Sequence, residues 1–133
     1  IDLIGEGSLF QQSSKRLSGS GFAEPIVVTN SDFRFIATQQ LHDAGITPNT
    51  VLIEPEARNT APALLAAALV AAQKDPAQLM LAAPSDHYIT QADVFCDNVR
   101  RGVAAAQAAS TSHVVWSCFQ TCSARRDNRV DFA

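Results

Sequence analysis

The chain has 133 residues, 47% of them hydrophobic and 17% charged, which suffices for one small domain with a core of its own. A formal net charge of -3 weighs against a dedicated nucleic-acid or anionic-membrane binder, and leaves room for a local basic site that takes one phosphate. No run approaches the roughly 20 apolar residues of a membrane span, and no basic-then-apolar leader opens the chain.

In chain order, Ser8 to Leu17 reads as a helix. Ser8 can cap it, Leu9, Gln12, Ser13 and Arg16 share a stripe, and Gly19 and Gly21 stop it. Pro25 to Asn30 is a short β-branched run expected as a buried strand. Ser31 is placed to cap a second helix, with Phe33, Ile36, Ala37, Gln40 and Leu41 at helical spacing and Gly45 as its terminator. Thr50 to Ile53 is the next strand. Thr60 can cap a third helix, Ala61 to Lys74, with Pro62 tolerated in its first turn and Asp75-Pro76 breaking it. So much Ala and Leu predicts close packing on a sheet. Gln78 to Ala83 is a third strand. Thr90 to Ala109 is a fourth helix with Val94, Phe95, Val99, Val103 and Ala106 along one side, and His113 to Phe119 begins a fourth strand.

Strand and helix alternate throughout, which is the signature of βαβ units on a parallel sheet with right-handed crossovers. The expected fold is therefore α/β, Rossmann-like, with a mostly parallel sheet between helical layers. Periodicity fades from Trp116, where two of the three cysteines and three arginines crowd together. Residues 1–115 read as a partial domain, and 116–133 as an atypical tail, either a disordered end or out-of-frame sequence. The chain opens without Met, in mid-phrase at Ile1-Asp2-Leu3-Ile4-Gly5, and a fragment is expected. Three cysteines (Cys96, Cys118, Cys122) are too sparse for a disulfide framework and fit a reducing, cytoplasmic setting.

Two stretches offer chemistry. The first is Glu54-Pro55-Glu56-Ala57-Arg58-Asn59-Thr60-Ala61-Pro62-Ala63, a polar loop between a strand and a helix start. Such a loop presents free N–H groups and a positive dipole end. Glu54 can accept two N–H bonds from a guanine edge, Asn59 offers a donor and an acceptor, and Arg58 can meet a phosphate. The same residues also fit a surface ion pair of Arg58 with Glu54 or Glu56 beside a Thr60 cap. The second is Pro84-Ser85-Asp86-His87 after an apolar run. A carboxylate at the C-terminal end of a parallel strand can hold Mg²⁺ against a substrate phosphate; a turn cap is the alternative for Asp86, and a structural role the better one for His87. In an open α/β sheet two such strand ends point at one crevice.

Other features carry less. Gly5-Glu6-Gly7 and Gly19-Ser20-Gly21 read as turns, Cys96 as core filler, and Lys15 and Arg16 as a solvated helix face. His113, Cys118 and Cys122 fit no usual zinc spacing, and no G-x-S-x-G elbow is present.

The phrases Gly7-Ser8-Leu9-Phe10-Gln11, Pro25 to Asn30, Phe33-Arg34-Phe35-Ile36, Glu54 to Ala63 and Ala83-Pro84-Ser85-Asp86-His87 resemble those of the bacterial mannose-1-phosphate guanylyltransferases, within the sugar-nucleotide pyrophosphorylases. The likeness covers about residues 1–110. The family's usual forms are E-P-x-x-R-N-T-A-P-A and P-A-D-H; here Ser85 stands where Ala is commoner. The resemblance implies GTP and mannose 1-phosphate as substrates, GDP-mannose and pyrophosphate as products, and in-line attack of the sugar phosphate oxygen on the α-phosphorus. It puts Glu54, Arg58, Asn59 and Thr60 at the nucleotide and Asp86 on Mg²⁺ as the catalytic and metal-holding residue. With the net charge and the lack of a long apolar run, no nucleic-acid or membrane partner is expected, and there is room for an oligomer.

The family's G-G-x-G-x-R-L-W-P loop and P-K-Q phrase, which clamp the triphosphate, do not occur in these 133 residues, nor does its G-Y-G-Y-type phrase. The isolated chain is therefore expected to lack turnover, since one preorganised donor can be worth about 10²–10³ in rate. It is also expected to be marginal in stability, because the strand carrying that loop should be central in the sheet. The alternatives are a non-catalytic nucleotide-binding α/β module, and a plain α/β domain whose 54–60 loop only caps helices.

Overall fold

The computed structural model describes residues 7–55 and 60–108, and the backbone of 114–116. Readings that fall on Arg58, Asn59, His113, Cys118, Cys122 or the tail after residue 116 lie outside the described residues.

Helix α1 spans Leu9–Arg16 with Ser8 as its N-cap. The Ser8 Oγ accepts from the Gln11 amide, and the Gln11 side chain accepts from the Ser8 amide at 2.9 Å, a reciprocal capping box. Gly7, at φ +94°, leads in, and a Cβ there would stand 2.6 Å from Gln11 Oε1. Only glycine meets both demands without strain.

Strand β1, Ile26–Asn30, pairs in parallel with β2, Thr50–Glu54, in a register that sets Ile26 beside Thr50 and Asn30 beside Glu54. Between them α2 runs Arg34–Asp43. Ser31 does not cap it. The Asn30 side chain accepts from the Phe33 amide at 3.0 Å, and Phe33, at the cap position, makes no side-chain cap bond. The Asn30 turn holds the chain out of the helix for longer than a Ser31 cap would. The far end is closed as expected: at Gly45, φ +71°, its amide bonds His42 O and the Ile46 amide bonds Leu41 O, the paired bonds of a Schellman motif.

Helix α3 is Thr60–Lys74, β3 is Met80–Ala82, α4 is Ala92–Ala108 and β4 is Val114–Trp116. Thr60 is the first residue inside α3 rather than the residue ahead of it. Strand β3 is shorter than its apolar run suggested because the Gln78 amide bonds Asp75 O, making Gln78 part of the turn that ends α3. Strands β3 and β4 pair in parallel, Met80 beside Val114.

Helices α2 and α3 each pack on both β1 and β2. Two strands spaced about 4.8 Å apart make a sheet barely one helix diameter wide, so two helices that both touch it take opposite faces. The expected α/β layering is thus present. The sheet, however, comes as two separate parallel pairs, β1–β2 and β3–β4, and α3 is the helix that touches both. Among the described residues, each of the four strands keeps one edge without a backbone partner.

Among the described residues the buried apolar set is small: Leu41, Ala67, Phe95 and Val99. Leu41 is only 1% exposed. Phe33 and Ile36, expected on the inward stripe of α2, are more than half exposed, as is Val94 of α4. The inward face of α2 narrows to Ala37, Gln40 and Leu41. Leu65 and Leu69 of α3 also stand in solvent, at 62% and 60%. None of the described helices is long and apolar enough to cross a membrane.

Candidate functional site

Strand β2 ends at Glu54, which is partly buried, beside Asn30 across the ladder. Beyond it a cavity of about 490 Å³ opens between the C-terminal halves of β1 and β2 and the first turns of α3. Its lining includes Val28, Leu52, Glu54, Pro62, Ala63 and Ala66, and Glu54 is its one ionisable side chain among the described residues. Alternation along the strands explains the set: Val28 and Leu52 are ladder partners and share a face with Glu54. On the α3 side the residues are small, which leaves the volume open. Mostly apolar walls with a single directional acceptor suit a flat, partly apolar ligand with N–H donors at one edge, and the volume is in the range of small-molecule sites. A smaller cavity of about 230 Å³ lies at the other end of the same strands, beside Glu24, Asn49 and Lys74.

Thr60 opens α3 on the rim of this region and is exposed. Asp86 follows β3. Its carboxylate is 82% exposed, with His87 Nε2 at 3.9 Å from Oδ1. In that much water such a pair is weak, and His87 gains no firm structural role from it. The cavity lining takes in Glu54 and not Asp86. Each carboxylate lies at the C-terminal end of its own parallel pair. No cluster of three or more His, Cys, Asp or Glu occurs among the described residues.

The segment before Asp86 has a tether that the sequence did not announce. Ser13, the one buried polar side chain among the described residues, donates from Oγ to the Pro84 carbonyl at 3.4 Å. Arg16, read as solvated, instead lays its guanidinium over the Phe95 ring at 5.6 Å, and its carbonyl accepts from Cys96 Sγ at 3.8 Å. Burial lowers the Arg16 pKa, and interaction with Cys96 works the other way. The only sequence hint was the shared stripe of Ser13 and Arg16 along α1.

Parallel strands joined through helices, with a cavity at the C-terminal ends of β1 and β2, define an α/β domain of the kind that takes ligands at its strand ends. The comparisons give the family. The sequence profile described as Nucleotidyl transferase matches residues 2–122, and the chain belongs to that family. It is 39% identical over 115 residues to a mannose-1-phosphate guanylyltransferase of Klebsiella pneumoniae, covering 86% of this chain and 24% of that protein. It is 40% identical over 107 residues to the xanthan biosynthesis protein XanB of Xanthomonas campestris pv. campestris (strain B100), covering 80% and 23%. It is 45% identical over 89 residues to the alginate biosynthesis protein AlgA of Pseudomonas syringae pv. tomato, covering 67% and 18%. The chain thus spans about a quarter or less of the length of these curated relatives. No solved structure matches it significantly.

Proposed function

We propose that this chain forms the nucleotide-binding part of an enzyme that makes GDP-mannose and pyrophosphate from GTP and mannose 1-phosphate. The observation that carries the reading is Glu54, placed by the β1–β2 register on the wall of an otherwise apolar cavity where α3 begins. A carboxylate there accepts two N–H bonds from guanine, and adenine offers no matching pair of donors. Arg58, Asn59 and Thr60 complete the nucleotide-facing loop in this reading. The names of XanB and AlgA support a role in polysaccharide biosynthesis, and the sparse cysteines support the cytoplasm as its place.

Asp86 is the residue we assign to Mg²⁺. A single exposed carboxylate fits this cation, which keeps several waters and takes further oxygens from substrate phosphates rather than from a protein cage. When bound, Mg²⁺ offsets phosphate charge. The chain's own residues do the remaining work: Glu54 orients the base, and the 58–60 loop with its dipole end holds negative charge.

Titration calorimetry of GTP against ATP, with Mg²⁺ present, tests this. GTP is expected to bind at least tenfold more tightly than ATP. Equal affinity, or indifference to both, overturns the assignment of Glu54. On its own the 133-residue chain is expected to bind without turnover.

A further inference from the structure

Helix α1 joins two parts of the molecule that share little backbone pairing. At its N-terminal end Ser8 Oγ donates to Gln40 Oε1 at 2.7 Å and Gln11 Nε2 donates to Gln40 O at 3.1 Å, fixing it to α2. One turn on, Ser13 reaches the Pro84 carbonyl, and Arg16 meets Phe95 and Cys96 of α4. The contact with Pro84 is the one that bears on the site. Proline has no amide hydrogen, so its carbonyl is its one backbone hydrogen-bonding group. Its ring already locks φ. A donor that holds the carbonyl also restricts ψ, and with both dihedrals set the direction in which the chain leaves β3 toward Asp86 is set too.

We propose that Ser13 is a positioning residue for Asp86, acting through the Pro84 carbonyl. The link to activity rests on the reading of Asp86 as a metal-holding residue. The tether itself does not.

Two measurements on the 133-residue chain test the idea. In 15N relaxation without ligand, Ser13→Ala is expected to lower the backbone order parameters of Ser85 and Asp86 from near the rigid value of about 0.85 toward the flexible range below about 0.6. Ser13→Thr, which keeps the hydroxyl, should restore the higher values, and the β1–β2 amides should not change in either variant. Wild-type order parameters at Ser85 and Asp86 in Ser13→Ala overturn the tether. In Mn²⁺ titration with GTP present, Asp86→Asn should abolish binding, and Ser13→Ala should weaken it by about threefold to tenfold with the melting temperature of the β1–β2 half held. If Asp86→Asn leaves Mn²⁺ affinity unchanged, the metal reading fails while the relaxation result still decides the tether. If Asp86→Asn matters and Ser13→Ala binds like wild type, the positioning role is overturned.

Discussion

Strands β1 and β2 pair over five residues and carry a helix on each face, whereas β3 and β4 pair over three residues. The two halves hold their carboxylates by different means. Glu54 is placed by the ladder itself, partly buried, with its direction fixed by alternation along β2. Asp86 lies beyond a short strand, largely in water, and what fixes its approach is a side chain from α1. Reading a base edge demands a rigid acceptor. Meeting a hydrated cation demands an accessible one, and the contrast in burial fits the roles proposed for the two residues.

The largest effect expected is on chemistry. In an active enzyme carrying this segment, Asp86→Asn should lower GDP-mannose formation by about 100-fold or more with the fold unchanged by circular dichroism, since charge-stabilising groups at such sites carry effects of that order. Near-normal turnover would remove the metal role from the β3–β4 half. Next comes the core of the other half. Leu41→Ala should cost about 2–5 kcal/mol in urea unfolding, because Leu41 is fully enclosed. A loss under about 1 kcal/mol would show that α2 is not the anchor of the β1–β2 half. Gly7→Ala should cost about 1–2 kcal/mol by the same measurement, combining a positive φ with the close Gln11 oxygen. Ser8→Ala should cost about 1 kcal/mol, through the lost cap and the lost bond to Gln40. At the bottom of the scale, Arg100→Ala should change stability by less than about 0.5 kcal/mol and vanish in high salt, although its bond to Asp97 measures 2.7 Å, because both side chains are mostly in water. A larger loss there would mean that α4 depends on more than Phe95 and Val99.

The order of elements was legible because each has a local cause. Ser8 is a cap-forming residue ahead of α1, Gly45 supplies the left-handed residue that ends α2, and the β-branched runs are the strands. What failed to show were choices made between neighbours or at a distance. Asn30 outcompeted Ser31 for the entry to α2, and both are good turn formers, so residue type alone does not separate them. Phe33, Ile36 and Val94 kept helical spacing yet stayed exposed, since spacing defines a face without saying how far the covering layer extends. Ser13 and Arg16 gained partners about 70 and 80 residues away, which no local pattern encodes. Of the site, Glu54 and Asp86 were readable as strand-end acids, and the cavity beside Glu54 was not, because it arises from how closely α3 lies on β1 and β2.

That hollow exists by subtraction. Ala63 and Ala66 stop at Cβ where a longer chain would project into the space, so its room is held open by two methyl groups. A single change to Leu at either position would plug it without disturbing a hydrogen bond or a charge. On the proposed reading, the size of what enters is therefore adjustable one carbon at a time, from two side chains of α3.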